Sequence, residues 1–388
     1  MEHLGAIWGL RILLSEPHAG SEADACLHDA VAAAIGLPEL ASPSPGRSGS
    51  AIRERLEGRL RELEATPVAS TDHFLRNTAT LARILGLTAV ERDLLRLAIV
   101  LELVTGLAEL FRNPAPVGVS EVCHLAATAL VVPEKAVRAA LDRQAALRTT
   151  GLVSFDSGAP YAVEFETMCG LVEHILSGRR TARSLMGLFV REAPTTKLSV
   201  ADFSHAGEDV RAALRLVAGA LRRRARGVNV LLHGPPGTGK SELVRAIAQA
   251  LGARLYEVPD ADDDDDAKPG RNRLSECAVA QRTLGRASRT LLVFDEVEDV
   301  FRVRWEGLVG LVREQGGNKS WTNRLLEASP LPTFWVSNEI RQIDPATLRR
   351  FDLIVELRTP PSNVRLTMLR NALGTTPVFS DGSPPIPA

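Results

Sequence analysis

Residues 234–241 read Gly-Pro-Pro-Gly-Thr-Gly-Lys-Ser, and this run fits the pattern G-x-x-x-x-G-K-[ST]. Glycines at these positions let backbone N–H groups turn inward around a phosphate, because no Cβ stands in the way. The ammonium of Lys240 can reach the β- and γ-oxygens of a nucleotide, and the Ser241 hydroxyl is an oxygen ligand suited to Mg²⁺. The run therefore predicts a phosphate-binding loop.

The residues on both sides of this loop favour the same interpretation. Residues 227–232 (GVNVLL) have the pattern of a short buried strand that leads directly into the loop. Residues 242–251 carry apolar side chains at helical spacing, and Gly252 is suited to end that helix. A strand, a glycine loop and a helix in this order would place the phosphates at the helix N-terminus. A chance glycine-rich turn is the weaker alternative.

A second buried strand is predicted over residues 289–294 (RTLLVF), and it ends in Asp295 and Glu296. In an open α/β sheet, a carboxylate at the carboxyl end of a strand faces the ligand crevice. We therefore expect Asp295 to hold Mg²⁺, through water, and Glu296 to polarise the attacking water as a general base.

A third strand, residues 332–337, ends in Asn338. Its amide is predicted to orient the attacking water, with an ordinary strand-ending turn residue as the alternative. The sequence Leu-Arg-Arg-Phe-Asp follows at 348–352, just before a fourth strand. Arg349 and Arg350 are placed where they can extend from one subunit to the γ-phosphate held by the next. The guanidinium group suits that task because it donates two parallel hydrogen bonds.

Together, these four motifs resemble the AAA+ ATPases, and within them the AAA subgroup, over about residues 198–365. The resemblance implies an α/β P-loop NTPase fold with a parallel sheet and flanking helices. It also implies ATP hydrolysis, with ATP and Mg²⁺ as cofactors, and assembly into a ring. The implied catalytic residues are Glu296, Asn338 (sensor 1) and the arginine fingers Arg349 and Arg350. The implied ATP contacts are Gly234, Pro235, Pro236, Gly237, Thr238, Gly239, Lys240, Ser241 and Glu242, and the implied Mg²⁺ ligands are Ser241 and Asp295.

The chain departs from the family pattern in two places. After the strand predicted at 254–258, it has Asp260 and the run Asp262–Asp266 where many AAA remodellers carry an aromatic pore loop. This run is interpreted either as an acidic pore or cation-binding loop, or as a disordered, solvated loop. The second departure is the lid. Only residues 363–373 resemble its first helix, and the Pro-, Ser- and Gly-rich residues 375–388 are expected to be disordered.

The first half of the chain is predicted to be mainly α-helical, with a winged-helix-like segment. Helices are expected over 88–111, 120–130 and 133–147, followed by strand-like residues 151–155 and 161–165. Two helices, a tight turn and a β-ribbon outline a winged helix, which binds either DNA or protein.

The predicted domains follow from these patterns. They are an N-terminal segment with linker (1–50), a helical, winged-helix-like domain (51–175), a connector (176–197), the ATPase domain (198–358) and a truncated lid with tail (359–388).

Charge, hydropathy and cysteine content indicate where the protein acts and which partners it has. The 388 residues carry a net charge of −1, so the chain as a whole has no strong nucleic-acid footprint. The sequence predicts no signal peptide or membrane span, and the cysteines form no C-x-x-C pair. These features predict a soluble, cytoplasmic protein with no membrane partner.

The leading functional hypothesis is a Mg²⁺-dependent, ATP-hydrolysing protein that remodels or assembles protein partners and self-associates weakly into a ring. One alternative is a DNA-associated ATPase that uses the winged helix. Another is a nucleotide-binding switch that hydrolyses little because its lid is incomplete.

Overall fold

The computed structural model of the chain describes residues 1–15, 27–42, 48–67, 72–112, 119–159, 162–168, 170–260, 270–301 and 317–373. The acidic run at 262–266 and the tail at 375–388 lie outside these residues. The chain divides into two units, Met1–Leu188 and Phe189–Ala388. The predicted connector is therefore shared between the units, and the predicted domain boundaries remain predictions.

The first unit, in the residues that the structure describes, is helical with one small hairpin. Its elements are α1 (Glu2–Ser15), α2 (Asp29–Ala34), α3 (Gly49–Ala65), α4 (His73–Leu85), α5 (Ala89–Leu103), α6 (Thr105–Arg112), α7 (Val119–Leu130), α8 (Glu134–Ala140), α9 (Ala146–Thr149), β1 (Val153–Ala159), β2 (Ala162–Thr167), α10 (Leu171–Leu176) and α11 (Ala182–Gly187).

Helix α5 is a central helix of this unit, since most of its residues from Leu94 to Leu101 are buried. Its start is a capping box. The Glu91 N–H donates to the Thr88 hydroxyl (3.2 Å), and the Thr88 N–H donates to Glu91 Oε2 (2.8 Å). The other Glu91 oxygen accepts from the Ala146 N–H at 2.7 Å. This single buried carboxylate therefore also connects α5 to α9.

Two helix predictions in this unit are wrong in extent. The single helix expected to continue to residue 111 is broken at Val104, which has an extended backbone (φ −110°, ψ 92°). After the break, Gly106 lies so close to α2 that a Cβ would overlap the Ala30 carbonyl. The helix expected over 133–147 is likewise divided into α8 and α9. At Val104, packing against α2 outweighs the continuous apolar pattern. Between α8 and α9, the Asp142 carboxylate accepts from the Gln144 N–H at 2.8 Å, a local turn that competes with the helix.

The winged-helix-like segment consists of α7, α8 and the β1–β2 hairpin. Strands β1 and β2 pair antiparallel, from Val153 opposite Thr167 to Ala159 opposite Ala162. On α8, Arg138 donates to Glu134 at 2.8 Å and to the Ser120 hydroxyl at 3.2 Å. The positive charge of Arg138 is thus partly neutralised by Glu134 on the same helix.

The second unit is an α/β domain. Its elements are β3 (Arg191–Glu192), α12 (Gly207–Arg223), β4 (Asn229–His233), α13 (Lys240–Ala250), β5 (Arg254–Glu257), α14 (Gly270–Leu284), β6 (Thr290–Phe294), α15 (Glu298–Phe301), α16 (Gly317–Ala328), β7 (Thr333–Ser337), α17 (Pro345–Leu348), β8 (Leu353–Glu356) and α18 (Ser362–Leu373). A 3₁₀ segment, Val200–Ala206, precedes α12.

Within the described residues, six strands form a sheet in the order β3-β5-β6-β7-β4-β8. All neighbouring pairs are parallel except β3–β5. Every residue of β6 and β7 is buried, as expected for central parallel strands covered on both faces. The predicted α/β fold is confirmed, with the unpredicted antiparallel strand β3 making the sheet mixed.

The two faces of the sheet have different cores. One face carries aliphatic side chains, including Val230, Leu232 and Val336, which belong to one buried cluster with residues of α12 and α13. The other face carries Trp335, whose ring centroid lies 5.2 Å from Phe294 and 5.5 Å from Phe301. Strand side chains alternate between faces, so these cores fix the register that brings the strand ends together.

In the part of the chain that the structure covers, no helix combines the length and the apolar character needed to cross a membrane.

Candidate nucleotide-binding site

The loop between β4 and α13 has the backbone geometry that only glycine adopts easily. Gly234, Gly237 and Gly239 have φ values of 147°, 75° and 87°. A Cβ on Gly234 would overlap the Leu357 carbonyl, and one on Gly239 would lie 3.2 Å from the Phe203 ring. The sequence pattern therefore reflects both conformation and close approach.

Lys240 begins α13 and points back into the loop. Its ammonium donates to the carbonyls of Gly234 (2.8 Å) and Pro235 (3.0 Å) and to Asn338 Oδ1 (2.9 Å). An ammonium has three N–H donors, so these contacts use all of them. The side chain is buried, and this burial lowers the pKa of Lys240, while Asp295 and Glu298 act in the opposite direction.

Ser241 and Asp295 bring the loop and the end of β6 together. The Ser241 hydroxyl donates to Asp295 Oδ2 at 2.7 Å, and the Glu296 N–H donates to Asp295 Oδ1 at 2.9 Å. A hydroxyl and a carboxylate are hard oxygen ligands of the kind that Mg²⁺ takes beside nucleotide phosphates. The donor set thus fits the predicted metal.

Glu296 follows Asp295 in the left-handed region, with φ at 55°. Its side chain is exposed. Desolvation raises the pKa of the Glu296 carboxyl, and the Asp295 charge raises it further, while Arg273 lowers it. A base with a raised pKa accepts a proton more readily near neutral pH, which suits the role predicted for Glu296.

Asn338, at the end of β7, connects Lys240 to a residue that the sequence did not single out. Its backbone N–H donates to Glu298 Oε1 at 3.1 Å, while its side chain accepts from Lys240. Glu298 is 9% exposed, and its Oε2 has no hydrogen-bond partner among the described residues. Glu298 therefore fixes the position of the strand end that carries Asn338.

The remaining loop residues contribute unequally. Thr238 is buried and donates its hydroxyl to the Pro235 carbonyl at 2.9 Å, while Pro236 lies at the surface. The Glu242 carboxylate accepts from Arg245 (2.6 Å) and Thr196 (2.5 Å). Because its carboxylate is already bonded within the chain, a nucleotide contact from Glu242 would have to come from its backbone N–H.

The two predicted arginine fingers are not part of this hydrogen-bonded group. Both side chains lie at the surface after α17. Arg350 forms an ion pair with Glu327 of α16. The Arg349 side chain has no hydrogen bond or ion pair within the ranges that the structure describes.

Sequence reasoning also missed Arg273 on α14. Its guanidinium donates to the carbonyls of Asp295 (2.6 Å) and Glu296 (3.4 Å), and it lies over the Phe294 ring at 4.5 Å. The same stretch contains Arg271, Arg282 and Arg286. No local pattern distinguishes Arg273 from them, so only the fold reveals it.

The fold and these contacts define an α/β domain with a glycine-rich loop and with acidic and amide side chains at its strand ends. Comparison with known families agrees: residues 230–359 match the model of the ATPase family associated with various cellular activities (AAA). The chain therefore contains an AAA ATPase domain.

Curated relatives share this region at low identity. ATPase family gene 2 protein homolog B from Bos taurus is 30% identical over 210 residues, which cover 48% of this chain and 26% of the relative. The proteasome-associated ATPase from Mycobacterium ulcerans is 28% identical over 182 residues, covering 39% and 29%. The chain thus spans about a quarter of the length of these relatives.

Among solved structures, a chain of the E. coli MS115-1 HORMA:CdnC:Trip13 complex matches with a TM-score of 0.35 and 16% identity. The match covers 49% of this chain and 76% of that one.

Proposed function

We propose that this protein binds ATP with Mg²⁺ and hydrolyses it. The observation that carries the proposal is the meeting of three strand ends: Lys240 and Ser241 follow β4, Asp295 follows β6 and Asn338 follows β7. The side chains are connected by hydrogen bonds of 2.9 Å (Lys240–Asn338) and 2.7 Å (Ser241–Asp295). Ligands bind at such carboxyl edges of open α/β sheets.

In this proposal each residue has one task. The glycines of the loop present backbone N–H groups to the phosphates, and Lys240 contributes a positive charge to them. Ser241 and Asp295 would hold Mg²⁺, which supplies charge neutralisation on the phosphates when bound. Glu296 accepts the proton of the attacking water, and Asn338 holds that water in line.

The test is an ATPase assay of wild type and Glu296→Gln, with Glu339→Gln as the matched control. Glu339 is an exposed carboxylate just after the neighbouring strand β7. Glu296→Gln should bind ATP like wild type but turn over at least ~10²-fold more slowly, because a positioned general base contributes at least that much. Equal turnover of Glu296→Gln and wild type would refute the assignment of Glu296.

We further propose that hydrolysis serves the remodelling or assembly of protein partners in the cytoplasm. The proteasome-associated relative favours protein partners over DNA, and so does the Arg138–Glu134 pair on α8. Running the assay with and without duplex DNA, at low and at raised salt, tests this preference. DNA that stimulates turnover and retains the protein in a salt-dependent manner would instead favour a DNA-associated ATPase.

A second candidate function is a nucleotide-dependent switch with little hydrolysis. The ion pair between Arg350 and Glu327 of the same chain favours it, because a paired arginine is less available to a neighbouring site. Single-turnover measurements distinguish the two candidates: a switch would retain bound ATP over many minutes, whereas an ATPase would convert it to ADP.

A further inference from the structure

Arg273 is a buried cation placed directly behind the strand end that carries the two acidic site residues. It is 2% exposed. Its Nη2 donates to the Asp295 carbonyl at 2.6 Å, its Nη1 to the Glu296 carbonyl at 3.4 Å and its Nε to the Pro259 carbonyl at 3.4 Å. All these acceptors are main-chain groups, so the guanidinium holds backbone rather than side chains.

These contacts lie just beyond β6, where regular sheet pairing ends. The next main-chain contact of this segment is the Val297 N–H, which donates to the Val336 carbonyl at 3.0 Å. Between β6 and that bond, the peptides of Asp295 and Glu296 are held by Arg273 and by the Asp295 carboxylate. A guanidinium can donate to several acceptors in fixed directions, which suits it to holding consecutive carbonyls.

The backbone of Glu296 needs such support. Its φ of 55° lies in the left-handed region, where residues other than glycine are uncommon. A residue keeps such a conformation only where its surroundings determine it, and such residues cluster at functional sites. Stacking of Arg273 over Phe294, 4.5 Å from the ring centroid, ties this turn to a buried side chain of β6.

We propose that Arg273 is a positioning residue: by holding the Asp295 and Glu296 carbonyls, it maintains the left-handed turn that directs the Glu296 carboxylate at the attacking water. The inference rests on the proposed ATPase function, and it adds a residue of α14 to that site. In this proposal Arg273 acts through the main chain of Asp295 and Glu296 and is assigned no contact with nucleotide or metal.

The test compares Arg273→Ala and Arg273→Lys with Gln281→Ala, a control on the same helix at a position that is also buried (4% exposed). For Arg273→Ala, kcat should fall at least ~10-fold with KM little changed, since a small misplacement of a catalytic group costs up to ~10²-fold. Arg273→Lys should recover part of the loss, because lysine still donates to one carbonyl. Gln281→Ala should keep wild-type kcat.

Hydrogen exchange provides a readout that does not need turnover. In Arg273→Ala, the amides of Glu296 and Val297 should exchange faster than in Gln281→Ala, while those of the central strand β7 remain protected. If wild type does not hydrolyse ATP, the proposed function fails, and exchange alone decides the role of Arg273. If Arg273→Ala fails to fold, Arg273→Lys carries both measurements.

Two results would overturn the inference. One is a wild-type kcat in a folded Arg273→Ala protein. The other is unchanged exchange at Glu296 and Val297, which would show that Arg273 does not hold the turn.

Discussion

The phosphate-loop residues and the arginine pair belong to one predicted site, yet their surroundings in the structure differ. Lys240, Ser241, Asp295 and Asn338 contact one another within the chain. Arg349 and Arg350 lie at the surface, and the ion pair of Arg350 is with Glu327. Groups that act within one subunit can be arranged by its own fold, whereas groups that serve a neighbour must remain accessible. The proposed shared site needs such an accessible arginine, and Arg349 meets this need better than the paired Arg350.

The largest effect on turnover is expected from Arg349, because its side chain has no partner among the described residues. Arg349→Ala should reduce turnover about 10³-fold if it acts as an arginine finger, with ATP binding almost intact. Arg350→Ala should have a smaller effect, since the residue is already paired with Glu327. Turnover is measured over a range of protein concentrations.

A mixing experiment tests whether Arg349 acts between subunits. Combining Arg349→Ala with Lys240→Ala should restore activity, because one interface then joins an intact loop to an intact arginine. The absence of rescue, together with activity that does not depend on concentration, would mean that the arginines act within one chain or not at all.

The next largest effect is expected on ATP affinity, from substitution of the buried Lys240. Lys240→Ala should weaken ATP binding about 10²-fold or more, because it removes the charge-assisted hydrogen bonds that the proposed site would make to phosphate. The control is Lys197→Ala, an exposed lysine of the same unit. Isothermal titration measures both affinities. Wild-type affinity in a folded Lys240→Ala protein would remove the basis for the nucleotide site.

Substitution of Asn338 is expected to change nucleotide affinity by a smaller factor and in the opposite direction, toward tighter binding. In the structure its Oδ1 accepts from Lys240 at 2.9 Å, so it competes with phosphate for that ammonium. Asn338→Ala should therefore bind ADP about 5-fold more tightly, the equivalent of one net hydrogen bond, while turning over ATP more slowly. Weaker ADP binding in this variant would show that Asn338 supports the nucleotide rather than competing with it.

The smallest effect is on stability, at His205 in the 3₁₀ segment before α12. Both its ring nitrogens are buried without a hydrogen-bond partner among the described residues, and desolvation lowers its pKa. As pH falls below about 6.5, the unfolded chain gains a proton that the folded one resists, so stability should decrease.

His205→Phe should lessen this acid sensitivity, and His124→Phe, at an exposed position, should not. Thermal unfolding of all three proteins between pH 7 and pH 5 measures the difference. Identical pH dependence of wild type and His205→Phe would contradict the assignment.

Much of the α/β unit could be predicted because its signals are local. The buried strands β4, β6 and β7 are short, mainly apolar runs. The glycine loop follows β4, whereas Asp295 follows β6 and Asn338 follows β7. The loop glycines have left-handed backbones that the motif itself anticipates. Here the local pattern and the fold agree, as expected of a minimally frustrated sequence.

The features that were missed depend on contacts distant in sequence. The break at Val104 lies in an apolar run that predicts one continuous helix. The close approach of Gly106 to Ala30 cannot be deduced from that run. Strand β3 has two residues and gains its identity only by pairing with β5. Arg273 holds the residues after β6, and Glu298 holds the residue after β7. These partners are distant in sequence, so both roles become visible only in the folded structure.

The left-handed backbone of Glu296 has a consequence for engineering and for evolution. Glycine at this position would relax the turn and stabilise the domain by roughly 1 kcal/mol, but it would remove the carboxylate. Selection for thermal stability alone would thus favour loss of the proposed base. A search for more thermostable variants of this domain would therefore need activity as a second criterion, because glycine at this position favours stability whereas glutamate is needed for the proposed turnover.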